Sequence, residues 1–249
     1  MPRSAARTAI VARMKIRTQS KKVNKAWLSQ HVNDPWVRLA QKEGYRARAA
    51  YKLKELDEVF HLVRPGQCIV DLGCAPGAWC QYLRRRLGTV AAADGSARLR
   101  GVIIGLDVLP MKSVDGVHFI QGDFRDEATL EALRQALAQA LPQGVARGVD
   151  LVVSDMAPNL SGVEEVDAAR IEHLIELAVD FAVQHLKPEG ALVAKVFHGQ
   201  AYDRAVRLVR AHFKTVKAYK PKASRAQSAE TFLVARGLKG AIGAGAPAP

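Results

Sequence analysis

Apolar positions along the chain alternate between long helical stripes and short continuous runs. Residues 45–60, YRARAAYKLKELDEVF, place Ala49, Leu53, Leu56 and Phe60 on one helical face and leave Arg46, Arg48, Lys52 and Lys54 mostly elsewhere. After a Pro65-Gly66 turn, residues 68–71 read as a strand and 78–87 as a helix. VIIGLD at 102–107 is a buried strand, and 117–123 is the next. Residues 126–141 form a helix striped by Leu130, Leu133, Leu137 and Leu141. A fourth strand, VDLVVSD, covers 149–155. The helix over 166–186 turns Ile171, Leu174, Ile175, Ala178 and Phe181 inward and is stopped by a KPEG turn at 187–190. A strand at 191–197, a helix at 202–213 and strands at 216–219 and 231–235 complete the pattern, the last two joined by the basic loop KPKASRAQSAE.

Strands alternating with helices predict an α/β protein with a mostly parallel sheet covered on both faces. Residues 88–101, with AAADGS at their centre, read as a loop insertion. The organisation expected is a basic arm over 1–33, one domain over 34–237, and a flexible tail over 238–249 that from residue 241 onward is Gly, Ala and Pro with one Ile.

Charge adds a partner class. The net charge is +13, and Arg3, Arg7, Arg13, Lys15, Arg17, Lys21, Lys22 and Lys25 all precede the first acid, Asp34. Such a chain suits a polyanion, and its arm suits phosphates. An arm bearing arginines and no acids is also compatible with a mitochondrial transit peptide. No apolar run approaches the roughly 20 residues that cross a bilayer, so a cytoplasmic protein without a membrane partner is expected. Cys68, Cys74 and Cys80 lack zinc or disulfide spacing and read as small apolar fillers.

The chemistry starts at CIVDLGCAPGAWCQ, residues 68–81, a strand followed by a glycine-bearing turn and a helix start. Asp71, Asp107, Asp123 and Asp155 all fall at predicted strand carboxyl ends, where ligands of parallel sheets bind. Carboxylates along that edge repel a pyrophosphate, which leaves NAD as the lesser alternative. S-adenosylmethionine carries an ammonium, a sulfonium, ribose hydroxyls and an adenine amine, and no phosphate. Gly73, Gly77 and Trp79 are accordingly assigned to its methionine side, Asp107 to the ribose and Asp123 to the adenine end.

The segments DLGCAPGAWCQ, LDVLP, QGDFRD, SDMAPNLSG, AKVFHG and SRAQSAETF, in this order, resemble the FtsJ-type ribose 2′-O-methyltransferases, specifically the branch acting on a uridine of 23S ribosomal RNA. The likeness runs over residues 27–237. It implies a Rossmann-like fold that uses S-adenosylmethionine, with a mostly parallel sheet and an antiparallel C-terminal strand. It also implies a catalytic set of Lys52, Asp155, Lys195 and Glu230, and cofactor contacts at Gly77, Trp79, Asp107, Asp123 and Asp155. Cys74, His198, the long 88–101 segment and the extended tails depart from the family pattern.

Residue chemistry supports part of this set independently. A ribose 2′-hydroxyl is a weak acid, so methyl transfer is helped by a group that removes or orients its proton. Lys195 lies inside the apolar strand ALVAKVF, where an unpaired ammonium is costly to bury. Taken alone, it is equally well a lysine that snorkels or pairs with Asp155. Lys52 and Glu230 are raised above surface charges only by their motif positions, and Asn159 is equally a turn residue or a substrate contact. Tyr45 and Tyr51 could stack on a base or fill the core. His198 has no nucleophile beside it and no second histidine at metal spacing, so no metal is expected. A non-catalytic RNA-binding assembly factor and a transfer-RNA ribose methyltransferase remain as alternatives. No obligate protein partner is indicated.

Overall fold

The computed structural model describes residues 34–91, 95–141, 148–159 and 161–240. The basic arm and the last nine residues lie outside them. The first element, α1 (Pro35–Glu43), was not anticipated from the apolar pattern because it buries only Val37 and Ala40. Its signals are at its ends. The Asp34 carboxylate accepts the Trp36 N–H at 2.9 Å, Pro35 opens the helix, and Gly44 closes it at φ 73°.

Next come α2 (Ala50–Phe60), β1 (Cys68–Leu72), α3 (Ala78–Leu87), β2 (Thr89–Ala91) and β3 (Ala97–Leu99). They are followed by β4 (Val102–Asp107), β5 (Val117–Gln121), α4 (Glu127–Ala140), β6 (Val149–Ser154) and α5 (Glu164–His185). The chain closes with β7 (Leu186–Phe197), α6 (Tyr202–His212), β8 (Phe213–Tyr219) and β9 (Glu230–Leu238). Seven strands form one sheet in the order β5-β4-β1-β6-β7-β9-β8. The first five are mutually parallel, and β9 runs antiparallel to both β7 and β8. The expected mostly parallel sheet with an antiparallel C-terminal strand is therefore present.

Among the described residues each face of the sheet carries three helices, which explains why the central strands are apolar on both sides. Cys68, Val70 and Leu72 pack with Leu133, Val179 and Val209 from α4, α5 and α6. Ile69 packs with Ala40, Leu53 and Leu83 from α1, α2 and α3. Asp71, two positions after Ile69, shares the side of α3.

Three sequence expectations are corrected. The helix expected from residue 45 begins at Ala50, because residues 45–49 form turns that place Arg46 and Arg48 in specific contacts. The KPEG segment does not stop α5 as a turn but forms a bulge inside β7. Val149 pairs with Leu186 and Leu151 with Ala191, so residues 187–190 on one strand face the single residue Asp150 on the other. Lys187 secures the bulge, its Nζ 2.7 Å from Asp150 Oδ1, while Asp150 Oδ2 accepts the Cys68 N–H. The 88–101 insertion contains a two-stranded antiparallel ribbon, β2 with β3, separate from the main sheet.

Candidate active site

Because β5, β4, β1 and β6 are adjacent and parallel, their carboxyl ends share one rim. Asp123 lies just past β5, Asp107 ends β4, Asp71 is next to last in β1, and Asp155 follows β6. Asp71 is fully buried; Oδ2 meets Cys80 Sγ at 3.2 Å, and Oδ1 has no hydrogen-bond donor. Burial pushes its carboxyl up to about 7, the Cys80 thiol opposes the shift, and the charges of Asp155 and Asp107 add to it. Asp107 accepts the N–H groups of Ala75 and Leu109, each at 2.8 Å. Asp123 is gripped by Arg125, with Nε 2.9 Å from Oδ1 and 3.1 Å from Oδ2. Hydrogen bonds from Arg125 hold the Asp123 carboxyl down at about 2.

The glycine loop joins β1 to α3. Gly73 has φ 78°, and a Cβ there would stand 2.8 Å from Met156 Cγ and 3.0 Å from Met156 backbone. Gly77, at φ 100°, lies before the first turn of α3, and a Cβ on it would meet Arg46 and Met111 at 2.7 Å. Only glycine suits either position. The Trp79 side chain is in the core: its Nε1–H donates to Ala49 O at 2.8 Å and its ring packs on Phe232. What Trp79 can present to a ligand is therefore its main-chain N–H, which lies in the first helical turn and has no intrahelical acceptor.

The Arg46 guanidinium holds this loop. Arg46 donates to Pro76 O at 2.9 Å, Lys112 O at 2.6 Å and Ser113 O at 2.7 Å. Arg48 pairs with Asp34 and donates to Ala223 O at 2.7 Å. Periodicity shows which face a residue occupies but not that a carbonyl from a distant segment meets it.

The four residues of the implied catalytic set meet beyond Asp155. Lys52 Nζ lies 2.8 Å from Glu230 Oε2. Lys195 Nζ donates to Asp155 O at 2.6 Å and lies 2.9 Å from Asp155 Oδ1. The β7-β9 register places Lys195 opposite Phe232 and Phe197 opposite Glu230, so Lys195 and Glu230 share a sheet face as diagonal neighbours. Burial pushes the Glu230 carboxyl up, but the Lys52 charge and hydrogen bond, Ser224 and the Lys195 charge together leave it below the ordinary glutamate value. Two cations and two carboxylates thus form one electrostatic unit.

Other candidates fall outside this cluster. Tyr45 and Tyr51 are buried and meet edge to face at 5.7 Å, which makes them core residues. His198 is exposed and stacks on Tyr202, and Asn159 accepts from Arg170 through its carbonyl. Val108 and Leu109, which the sequence reading passed over, are exposed at the rim immediately after Asp107. Among the described residues, no group of three His, Cys, Asp or Glu side chains could hold a metal ion.

Known proteins resemble this chain over most of its length. The model of the FtsJ-like methyltransferase family matches residues 45–238. A protein of Paracidovorax citrulli named ribosomal RNA large subunit methyltransferase E is 65% identical over 226 residues, covering 91% of this chain and 100% of the relative. A protein of the same name from Acidovorax sp. is 64% identical, covering 91% and 99%. A solved Plasmodium falciparum structure described as a ribosomal RNA methyltransferase has TM-score 0.64 at 27% identity, covering 78% of this chain and 98% of that one. With its glycine loop, acidic rim and paired lysines all inside the matched region, the chain belongs to the FtsJ-like methyltransferase family.

Proposed function

We propose that this chain transfers a methyl group from S-adenosylmethionine to the 2′-hydroxyl of a uridine in 23S ribosomal RNA, within the cytoplasmic large ribosomal subunit or its precursor. The observation that carries this reading is the junction of Lys195-Asp155 with Lys52-Glu230 beside a rim of acids. The relatives named for the ribosomal large subunit support the substrate class.

The rim suits the donor chemically. Asp71 Oδ1 is a buried acceptor without a donor, which matches an ammonium. Asp107 retains lone pairs for ribose hydroxyls beyond its two backbone bonds. The exposed Val108 and Leu109 offer an apolar face to a base, with Asp123 beyond them. The first-turn N–H groups of α3, including that of Trp79, suit a carboxylate. Gly73 and Gly77 let the backbone approach. Bound there, S-adenosylmethionine supplies an electrophilic methyl group.

The chain's own side chains manage the acceptor. Asp155 fixes the Lys195 nitrogen through its main-chain oxygen and its carboxylate. As a neutral amine, that nitrogen takes the 2′-hydroxyl proton. Lys52, held by Glu230, orients the acceptor's oxygen or phosphate.

A binding factor without catalysis has no use for such a cluster. Purified protein supplied with labelled S-adenosylmethionine should label large-subunit particles from a strain lacking its gene. Saturable particle binding without label would favour the assembly factor, and label on transfer RNA instead would move the substrate class.

A further inference from the structure

We infer that the inserted β2-β3 ribbon builds a second phosphate-binding groove, which holds the ribosomal RNA backbone at the sheet end opposite the catalytic rim. The inference rests on the reading that the substrate is a large RNA. A groove of about 640 Å³ lies between the ribbon, the start of β4 and the turn at Asp115 and Gly116. Its basic lining is Arg84, Arg98 and Arg100.

These three arginines have different duties. Arg84 is already engaged, its Nε 2.8 Å from Asp115 O and its guanidinium paired with the Asp115 carboxylate, so it fastens α3 to that turn. Leu99 packs toward Gly116, where a Cβ would stand 3.3 Å from Leu99 Cβ. Val90 pairs with Arg98 and Thr89 with Leu99, so Arg98 and Arg100 flank Leu99 at alternate positions and lean away from it. Both are exposed, and among the described residues neither guanidinium has a hydrogen bond or ion pair. Exposed Arg64 lies in the adjacent turn, where the Gly66 N–H donates to Arg100 O at 2.8 Å.

The chemistry fits a phosphate backbone. A guanidinium fork matches phosphate oxygens in a bidentate arrangement. Among the described residues the groove has no aromatic residue in its lining, only small aliphatic surface at Val90, Leu99 and Val102, whereas protein interfaces centre on aromatic and apolar anchors. Along β4, five residue steps separate Val102 in the groove from Asp107, a span of about 17 Å at roughly 3.3 Å per residue. A folded RNA reaches both ends of such a span, while a nucleotide or short oligonucleotide occupies one.

The test compares the full-length wild type with the double variants Arg98→Ala/Arg100→Ala and Arg98→Lys/Arg100→Lys. Methyl transfer into large-subunit particles gives KM and kcat, calorimetry gives S-adenosylmethionine affinity, and binding to particles and to deproteinised 23S ribosomal RNA is titrated between roughly 50 and 200 mM salt. The alanine pair should raise KM for particles about 10-fold and leave kcat and cofactor affinity unchanged. It should also make log-affinity against log-salt shallower by about 2 for both RNAs, the loss of two phosphate contacts. The lysine pair should recover the slope. An unchanged KM and slope would overturn the proposal. Weaker binding to particles alone, with deproteinised RNA bound as before, would also overturn it by assigning the groove to a ribosomal protein. Were the wild type to bind particles without transferring methyl, the catalytic reading would fail, and the salt slopes would still decide the groove.

Discussion

Lys52 Nζ and Glu230 Oε2 lie 2.8 Å apart across 178 residues of sequence, with side chains only 11% and 10% exposed. The pair fastens α2 to the start of β9 where the two meet the Lys195-Asp155 pair. Glu230→Ala leaves an ammonium buried without its partner, a change that costs about 3 kcal/mol. Urea unfolding should show that loss together with loss of methyl transfer, and Glu230→Gln, which keeps a hydrogen-bond acceptor, should be milder on stability. Since the folded Glu230 carboxyl titrates below its unfolded value, its stabilisation is complete above about pH 4.3 and disappears only as pH falls through the lower folded value.

Asp71 has the opposite sign. Its carboxyl is raised to about 7 in the fold, so the folded state binds the proton more tightly than the unfolded chain. Its contribution is most favourable in acid and is lost as pH rises from about 4 toward 7. Asp71→Asn, which cannot ionise, should gain stability relative to wild type over that interval, read as the difference between urea midpoints at successive pH values. Calorimetry should show weaker S-adenosylmethionine binding by the variant, because the ammonium loses a charged acceptor.

Arg46 holds the proposed cofactor loop and lies outside the proposed catalytic set. Its three carbonyl contacts join the end of the glycine loop to residues 112 and 113, and charged hydrogen bonds of this kind contribute about 1.5–3 kcal/mol. Arg46→Ala should weaken S-adenosylmethionine binding about 10-fold while affecting kcat at saturation far less. Arg46→Lys recovers part of the loss, since one ammonium cannot reproduce the planar fork.

Gly73 allows no side chain. In Gly73→Ala the new Cβ meets Met156 backbone at 3.0 Å on a residue held at φ 78°. Thermal unfolding should show destabilisation of more than about 1 kcal/mol, and cofactor binding should fall with it.

The parallel core was legible because its strands are continuous apolar runs between stripes of helical period, as VIIGLD and the Leu133-Leu137 helix show. The acids were legible as a rim because parallel strands bring equivalent ends together. What sequence could not supply were relationships made by the antiparallel return of β9. Lys195 and Glu230 become neighbours only through that register, and Lys52 appeared as one more basic residue on an exposed face. Trp79 was given to the ligand when its indole belongs to the core, since a motif position does not distinguish a side chain from its backbone N–H. The KPEG bulge reads like a turn because proline and glycine serve both.

The proposed reaction is methylation of one 23S ribosomal RNA uridine ribose with Lys195 at the acceptor. Its most direct measurement is the mapping of 2′-O-methylated nucleotides in ribosomal RNA from cells with the gene, without it, and complemented with wild type or Lys195→Ala, the variant first shown by calorimetry to bind S-adenosylmethionine. One 2′-O-methyluridine of 23S ribosomal RNA should vanish in the deletion, return with wild type and stay absent with Lys195→Ala. An unchanged methylation map in the deletion, or its full restoration by Lys195→Ala, would rule out that reaction.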